Sequence, residues 1–71
     1  MGKFRQARMA NELTYEEAAN IAKVSTCTYV NRERQPEYFR LMELKRLYES
    51  LDEVGKRILR QAVDGFLYNE T

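Results

Sequence analysis

The sequence predicts an all-α fold, a compact bundle of about five short helices. The chain has 71 residues, the size of one domain, so we treat residues 1–71 as a single unit. One Pro and three Gly leave few positions that interrupt helices. Apolar residues recur at the three- and four-residue spacing of amphipathic helices. No apolar run approaches the ~18 residues of a membrane span, so we expect no membrane association.

Composition excludes several functional classes. The chain has no His and a single cysteine, Cys27, so we expect neither a structural zinc site nor an internal disulfide. The absence of His also excludes Ser-His and Cys-His nucleophilic catalysis. We therefore expect a protein that is not an enzyme and uses no metal or other cofactor. A lone thiol fits a reducing compartment, and we expect the cytoplasm.

The first two helices are predicted from apolar spacing and a capping motif. Phe4 and Ala7 lie three residues apart, on one face of a helix over about residues 3–11. The second helix begins after Thr14, because Thr14 and Glu17 form a capping box in which each side chain accepts the other's backbone N–H. Alanines then give this helix a face of small side chains, which lets a neighbouring helix approach closely.

Three further helices follow. Ser25 is the N-cap of the third helix, which ends before Pro36 because the residue preceding a proline is biased away from helical conformation. Pro36 itself is expected in the first turn of the fourth helix. The fifth helix, over residues 51–68, opens with a second capping box from Ser50 to Glu53. It has the most regular amphipathic spacing in the chain.

Residues 14–34 form the most informative unit. They comprise a capped helix, a three-residue turn and a second capped helix, which is the order of a helix-turn-helix. The alanine face of the first of these helices permits the tight crossing that the unit requires. In DNA-binding proteins, the second helix enters the major groove and contacts base edges through its N-terminal residues.

Between Phe4 and Leu51 the sequence resembles the Xre family, the phage Cro and repressor type of helix-turn-helix. The resemblance rests on these segments: Phe4-Arg5-Gln6-Ala7-Arg8, Leu13-Thr14-Tyr15-Glu16-Glu17-Ala18-Ala19, Val24-Ser25 and Glu33-Arg34-Gln35-Pro36. The family usually has Leu-Thr-Gln-Glu-Glu-Leu-Ala, Gly-Val-Ser and Glu-Arg-Gly there. The resemblance implies a lambda-repressor-like fold and a sequence-specific DNA-binding regulator. The small size of the chain suggests a Cro-like repressor of phage or mobile-element type, which occupies a double-stranded DNA operator.

The resemblance also implies which residues contact DNA. They lie at the start of the second helix, along the third and just after it: Tyr15, Ser25, Thr26, Cys27, Thr28, Asn31, Arg34 and Gln35. The first of these matches a contact to the DNA backbone. Thr26, Cys27 and Asn31 match positions that contact bases, and Asn side chains bind adenine through two hydrogen bonds. Arg34 and Gln35 match a loop that holds phosphate.

Three charged residues have separate assignments. Arg8 and Glu33 match a buried ion pair between the first and third helices of some family members, and we assign them to stability. Arg32 stands where the family has an apolar residue. Its charge makes it a further candidate for contact with a DNA base, with phosphate and solvent as the alternatives.

Other departures from the family pattern support a second hypothesis. Lys23 replaces the glycine of the turn, so either Lys23 adopts a left-handed conformation or the turn differs. Tyr29 is larger than the usual residue, and a shifted third helix would expose Val30. The net charge is only +1, which is low for a protein that binds nucleic acid. The alternative function is an antirepressor or modulator that binds a partner repressor protein through this helix-turn-helix.

The apolar face of the fifth helix is wider than one packing stripe requires. We expect part of residues 51–68 to form a homodimer interface through Val54, Ile58 and Phe66. A dimer would suit two half-sites one helical turn apart on DNA. The alternative is that this helix only closes the core.

Overall fold

The computed structural model describes residues 2–68, which form an all-α bundle. Its helices are α1 Lys3–Ala10, α2 Tyr15–Ala22, α3 Thr26–Arg34, α4 Leu41–Ser50 and α5 Glu53–Tyr68, with a 3₁₀ turn at Pro36–Tyr38. The described residues contain no strand, and α2 and α3 form the expected helix-turn-helix. The predicted fold class is therefore confirmed. Among the described helices, none combines the length and apolar character needed to cross a bilayer.

The two helices of the helix-turn-helix begin where their capping residues predict. The Thr14 hydroxyl accepts a hydrogen bond from the Glu17 backbone N–H at 3.1 Å, and the Glu17 carboxylate accepts the Thr14 N–H at 2.9 Å. The Ser25 hydroxyl accepts the Thr28 N–H at 3.1 Å. These bonds satisfy backbone donors that the first turn of a helix leaves without partners, so both starting points are sharply defined.

The prediction for the start of α4 was wrong. Pro36 opens the separate 3₁₀ turn, and the chain then extends through Phe39 and Arg40 before α4 begins at Leu41. The partial burial of Phe39 explains this path. Its side chain packs against the core, and the centre of its ring lies 5.1 Å from that of Phe4. A continuous helix from Pro36 would lack the extended backbone that places Phe39 against the core.

The predicted capping box from Ser50 to Glu53 was also wrong. The Ser50 hydroxyl donates to the Leu47 carbonyl at 2.8 Å, within α4. Asp52 caps α5 instead, since its carboxylate accepts the Gly55 N–H at 2.9 Å. The buried Leu51 side chain explains the shift: Leu51 has extended backbone at the end of α4, so the next helix starts two residues later.

Small side chains place α2 at the centre of the bundle. Ala18, Ala19 and Ala22 are at most 1% exposed, and α2 packs against both α3 and α4. The absence of longer side chains on this face allows the two crossings, as the sequence predicts. On the other side, α1 packs along α5. The largest fully enclosed side chain is Tyr29, which anchors α3 to the core.

Lys23 takes one of the two alternatives expected for the turn between α2 and α3. Its backbone has φ 64° and ψ 44°, the left-handed conformation that glycine usually supplies. The Lys23 N–H bonds to carbonyls of the last turn of α2, so the turn closes as it would with glycine. Of the two alternatives, the lysine therefore adopts the left-handed conformation, at a cost of about 1 kcal/mol.

Candidate nucleic-acid interface

The outer surface of the helix-turn-helix carries most of the residues that the resemblance assigns to DNA. Those with exposed side chains are Tyr15, Ser25, Thr26, Cys27, Asn31, Arg34 and Gln35. Two shallow recesses connect parts of this set: Tyr15 and Arg34 line one, while Asn31, Arg34 and Gln35 line the other. We call this surface the α3 face.

A polar stripe runs along the α3 face. Cys27, Asn31 and Arg34 are four and three residues apart, a spacing that aligns side chains along one side of a helix. Cys27 is a free, exposed thiol. The stripe therefore presents a thiol, an amide and a guanidinium in sequence along the axis of α3. An amide can form paired hydrogen bonds with adenine, and a guanidinium can hold a phosphate.

Two of the three hydroxyl side chains at the start of α3 bond to each other. Ser25 Oγ donates to Thr28 Oγ1 at 2.8 Å, in addition to capping the helix. Thr28 is half-buried, whereas its neighbours Thr26 and Cys27 are exposed. This arrangement holds the first turn of α3 in shape, and Thr26 and Cys27 are the exposed side chains there that take no part in it.

Arg8 and Glu33 form a buried ion pair that joins α1 to α3. Arg8 Nε lies 2.7 Å from Glu33 Oε2, and the two side chains are 8% and 5% exposed. The same guanidinium donates to the Leu13 carbonyl at 2.7 Å, in the loop before α2. Its Cζ lies 4.2 Å from the centre of the Tyr15 ring, a cation–π distance. Arg8 thereby fixes Tyr15 relative to α3.

Tyr29 stands behind the α3 face and keeps α3 in place. It is 2% exposed and Val30 is half-buried, so α3 is not displaced in the way that its unusual residues suggested. Burial raises the pKa of Tyr29, and the neighbouring Glu33 carboxylate raises it further. The phenol is therefore neutral throughout the physiological range, and Tyr29 adds no charge to the core.

Arg32, whose charge made it a candidate for contact with a DNA base, lies in an ion pair with Glu43. Arg32 donates to both carboxylate oxygens of Glu43, at 3.0 and 3.4 Å, and the side chains are 18% and 6% exposed. Burial of Glu43 by itself would raise its pKa, but hydrogen bonds from Arg32 and from the Arg40 N–H outweigh burial and lower it. A guanidinium held in this way is not free to contact a base in the same geometry.

No local sequence pattern predicts that Glu43 pairs with Arg32. The two residues are eleven positions apart, with the 3₁₀ turn between them, so no helical spacing relates them. One sequence feature does mark Glu43: it is the third residue of α4, where a carboxylate accepts the N-cap N–H. This pair explains how an arginine occupies a position that is apolar in the Xre pattern.

Basic side chains flank the α3 face at both ends. Arg5 and Arg34 line the recess beside α1, and Lys23, Arg40 and Arg46 line a recess at the turn between α2 and α3. Acidic side chains in the first turn of α2 and in the 3₁₀ turn offset part of this charge. Most of these cations lie outside residues 14–34, and only the fold brings them to the borders of the helix-turn-helix.

The residues predicted for a dimer interface do not form one exposed stripe. Val54 and Phe66 are 49% and 44% exposed, but Ile58 is half-buried against the core. Helical geometry places Phe66 about a third of a turn from Val54 around the axis of α5.

Within residues 2–68, no three His, Cys, Asp or Glu side chains come together as a metal site.

The α3 face therefore combines a rigidly supported helix, a polar stripe and flanking cations. Its geometry is suited to hydrogen bonding along a groove, with electrostatic contacts at the edges. Comparison with known proteins adds no family to this description: no protein-family model, no curated protein and no solved structure matches the chain.

Proposed function

We propose that the protein is a sequence-specific DNA-binding transcriptional regulator that places α3 in the major groove. The observation that carries this proposal is the polar stripe of Cys27, Asn31 and Arg34 on an exposed, capped helix. The stripe belongs to a helix-turn-helix in which α2 crosses α3 closely. This combination provides both base-contacting side chains and the projecting helix that carries them.

Five residues of the α3 face have specific roles in this proposal. Asn31 binds a base edge, and Thr26 contacts a thymine methyl group or a neighbouring base. Tyr15, Arg34 and Gln35 contact the sugar-phosphate backbone, which sets the position of α3 in the groove. The Arg8 ion pair supports Tyr15 from behind, so the phosphate and base contacts have a constant spacing.

The mode of regulation rests on the resemblance to the Xre family. We propose a Cro-like repressor of phage or mobile-element type, which works as a homodimer in the cytoplasm. Two copies related by a two-fold axis would bind two half-sites about one helical turn apart. Occupancy of such an operator blocks the polymerase or a competing repressor.

Binding-site selection from a randomised duplex library, followed by salt titration, tests the proposal. We expect one enriched sequence, with affinity that falls steeply as salt increases because phosphate contacts release counterions. Asn31→Ala should weaken binding to the selected site about ten- to a hundredfold and leave random duplex unaffected. Arg34→Ala should weaken both and reduce the salt slope by about one.

Gln61→Ala is the matched control, since Gln61 is a polar, exposed residue of α5 outside the α3 face. Its affinity for the selected site should equal that of the unmodified protein. A folded protein that binds no duplex at low salt would contradict the proposal. Equal losses on selected and random DNA in Asn31→Ala would contradict its role with bases.

The second candidate is an antirepressor or modulator that binds a repressor protein, and the net charge of +1 favours it. This function requires an accessible apolar patch on α3. Tyr29 is buried and Val30 is half-buried, so the α3 face does not offer such a patch. Capture of the repressor encoded beside this protein's gene, by a protein that fails to bind DNA, would favour this candidate.

A further inference from the structure

The recess at the turn between α2 and α3 is strongly basic. Lys23, Arg40 and Arg46 line it, and we call it the turn recess. Glu43 also lines it, but this carboxylate is 4% exposed and already paired with Arg32. Among the described residues that line the turn recess, three cations therefore face no accessible carboxylate. An anion bound among them would relieve their mutual repulsion.

The turn recess and the recess beside α1 lie on opposite flanks of the polar stripe. Val30 lines the recess beside α1, whereas Arg32 bonds to Glu43 of the turn recess. Val30 and Arg32 directly precede and follow Asn31, so they lie about 100° to either side of it around the axis of α3. Cations therefore border the stripe on both sides.

The major groove of DNA has a sugar-phosphate strand on each side. The groove is about 12 Å wide, and an α-helix with its side chains is about 10–12 Å across. When Asn31 faces the base edges, cations on both flanks of α3 are within reach of both strands. In the function proposed above, the phosphate contacts come from Tyr15, Arg34 and Gln35, and the turn recess has no role.

Lys23 is the residue of the turn recess that points most directly to a function. Its φ of 64° is unfavourable for a residue with a Cβ, whereas glycine adopts it freely. Within residues 2–68, no carboxylate pairs with its exposed side chain, so no ion pair there offsets this cost. Non-glycine residues held in such conformations cluster at functional sites. A phosphate contact would give the lysine a role that glycine cannot fill.

We propose that Lys23, Arg40 and Arg46 form a second phosphate site, which holds the DNA strand across the major groove from the strand beside α1. Lys23 and Arg40 are exposed and donate to the phosphate directly. Arg46 is half-buried and donates to the Ala22 carbonyl at 3.2 Å, so it contributes its charge from behind. The inference rests on the proposed function, because the phosphate belongs to the DNA that α3 binds.

Salt titration of binding to the selected site and to random duplex tests the inference. Lys23→Gly should weaken binding to both about five- to tenfold at about 0.1 M salt and reduce the salt slope by about one, because one phosphate contact is lost. Glycine suits the backbone of this turn, so the variant is expected to be the more stable protein, and unfolding would not explain the loss. Lys23→Arg keeps the charge and should retain the affinity. Arg40→Ala should cause a similar loss with the turn unchanged.

Two matched controls separate this contact from other effects. Glu12→Gly makes the same backbone change at another left-handed position. Arg60→Ala removes an exposed cation of α5 that lines neither recess. Neither control should weaken binding or change the salt slope. Circular dichroism establishes that each variant is folded.

Methylphosphonate substitution, which replaces one charged phosphate by a neutral one, locates the site on the DNA. Single substitutions should weaken binding of the unmodified protein on both strands of the selected site, and Lys23→Gly should be insensitive to one of them. Sensitivity confined to one strand overturns the inference, and so do Lys23→Gly and Arg40→Ala variants with unchanged affinity and slope. Absence of any DNA binding would count against the proposed function and this inference together. Binding that these two variants leave intact would count against this inference alone.

Discussion

Two ion pairs hold α3 against two different helices, and they differ in how fully the protein encloses them. Arg8 and Glu33 lie 2.7 Å apart, and both side chains are less than 10% exposed. Arg32 and Glu43 lie 3.0 Å apart, and the arginine is 18% exposed. Removal of one partner should therefore be far more damaging in the first pair, because an isolated charge cannot be rehydrated there.

The two pairs together fix the rotation of α3. Arg32 and Glu33 are consecutive residues of one helix, so their side chains point about 100° apart around its axis. One is tied to α4 and the other to α1. Because α3 contributes a single fully buried side chain, Tyr29, apolar packing alone would constrain its rotation weakly. The two ion pairs thus act together with Tyr29 to fix the direction of the polar stripe on the α3 face.

The largest effect is expected for Arg8→Ala. This change leaves the Glu33 carboxylate without its ion-pair partner, and it removes the donor to the Leu13 carbonyl. The free energy of unfolding should fall by about 3–5 kcal/mol, the range for breaking a buried pair. Urea denaturation followed by circular dichroism measures the loss.

The control for this prediction is the double variant Arg8→Met with Glu33→Leu, which removes both charges. It should recover much of the lost stability, since no charge remains buried. If Arg8→Ala leaves the unfolding curve unchanged, the ion pair contributes nothing, and the comparison between the two pairs fails.

A smaller loss, about 1–3 kcal/mol, is expected for Arg32→Leu. Glu43 keeps its hydrogen bond from the Arg40 N–H at 3.1 Å, and its partner's position is closer to solvent. Leucine is also the apolar type of residue that the Xre pattern, which the sequence resembles, has at this position. A loss as large as that of Arg8→Ala, in the same urea measurement, would show that exposure does not separate the two pairs.

The difference between the pairs also separates what the sequence predicts from what it does not. Arg8 and Glu33 belong to motif segments, so the resemblance pairs them across 25 residues. Arg32 and Glu43 are separated by a 3₁₀ turn whose course depends on the burial of Phe39. No local pattern encodes that course. The helix starts at Thr14 and Ser25 were predictable because capping is local, whereas the start of α5 depended on a tertiary contact, the burial of Leu51.

The decrease of the free energy of unfolding at acid pH gives a third test, on Glu43. Its pKa in the folded protein lies below the ordinary 4.5, because the Arg32 and Arg40 hydrogen bonds outweigh burial. The carboxylate therefore contributes its full stability above pH 4.5, and this contribution is lost as the pH falls through the folded-state pKa. Glu43→Gln should be less stable than the unmodified protein by about 1 kcal/mol at pH 7, and the difference should shrink below pH 4.5. A constant difference would show that Glu43 does not titrate with folding.

The smallest effect concerns the turn that leads into α3, where Lys23 has φ 64°. Lys23→Gly should raise the free energy of unfolding by about 0.5–1 kcal/mol, because glycine adopts this conformation without the steric cost of a Cβ. The gain is limited, since glycine also increases the entropy of the unfolded chain. Thermal denaturation detects it as a rise of a few degrees in Tm.

Two further glycine substitutions make the cause of that gain specific. Glu12 has φ 55°, so Glu12→Gly should stabilise the protein by a similar amount. Asn20 lies within α2, where Asn20→Gly should destabilise it, because glycine is a poor helix former. Opposite signs at the left-handed and helical positions would assign the effect to backbone conformation. Destabilisation by Lys23→Gly would instead mean that the lysine side chain contributes more to stability than its backbone strain costs, and the turn would then join the two ion pairs as a polar determinant of where α3 lies.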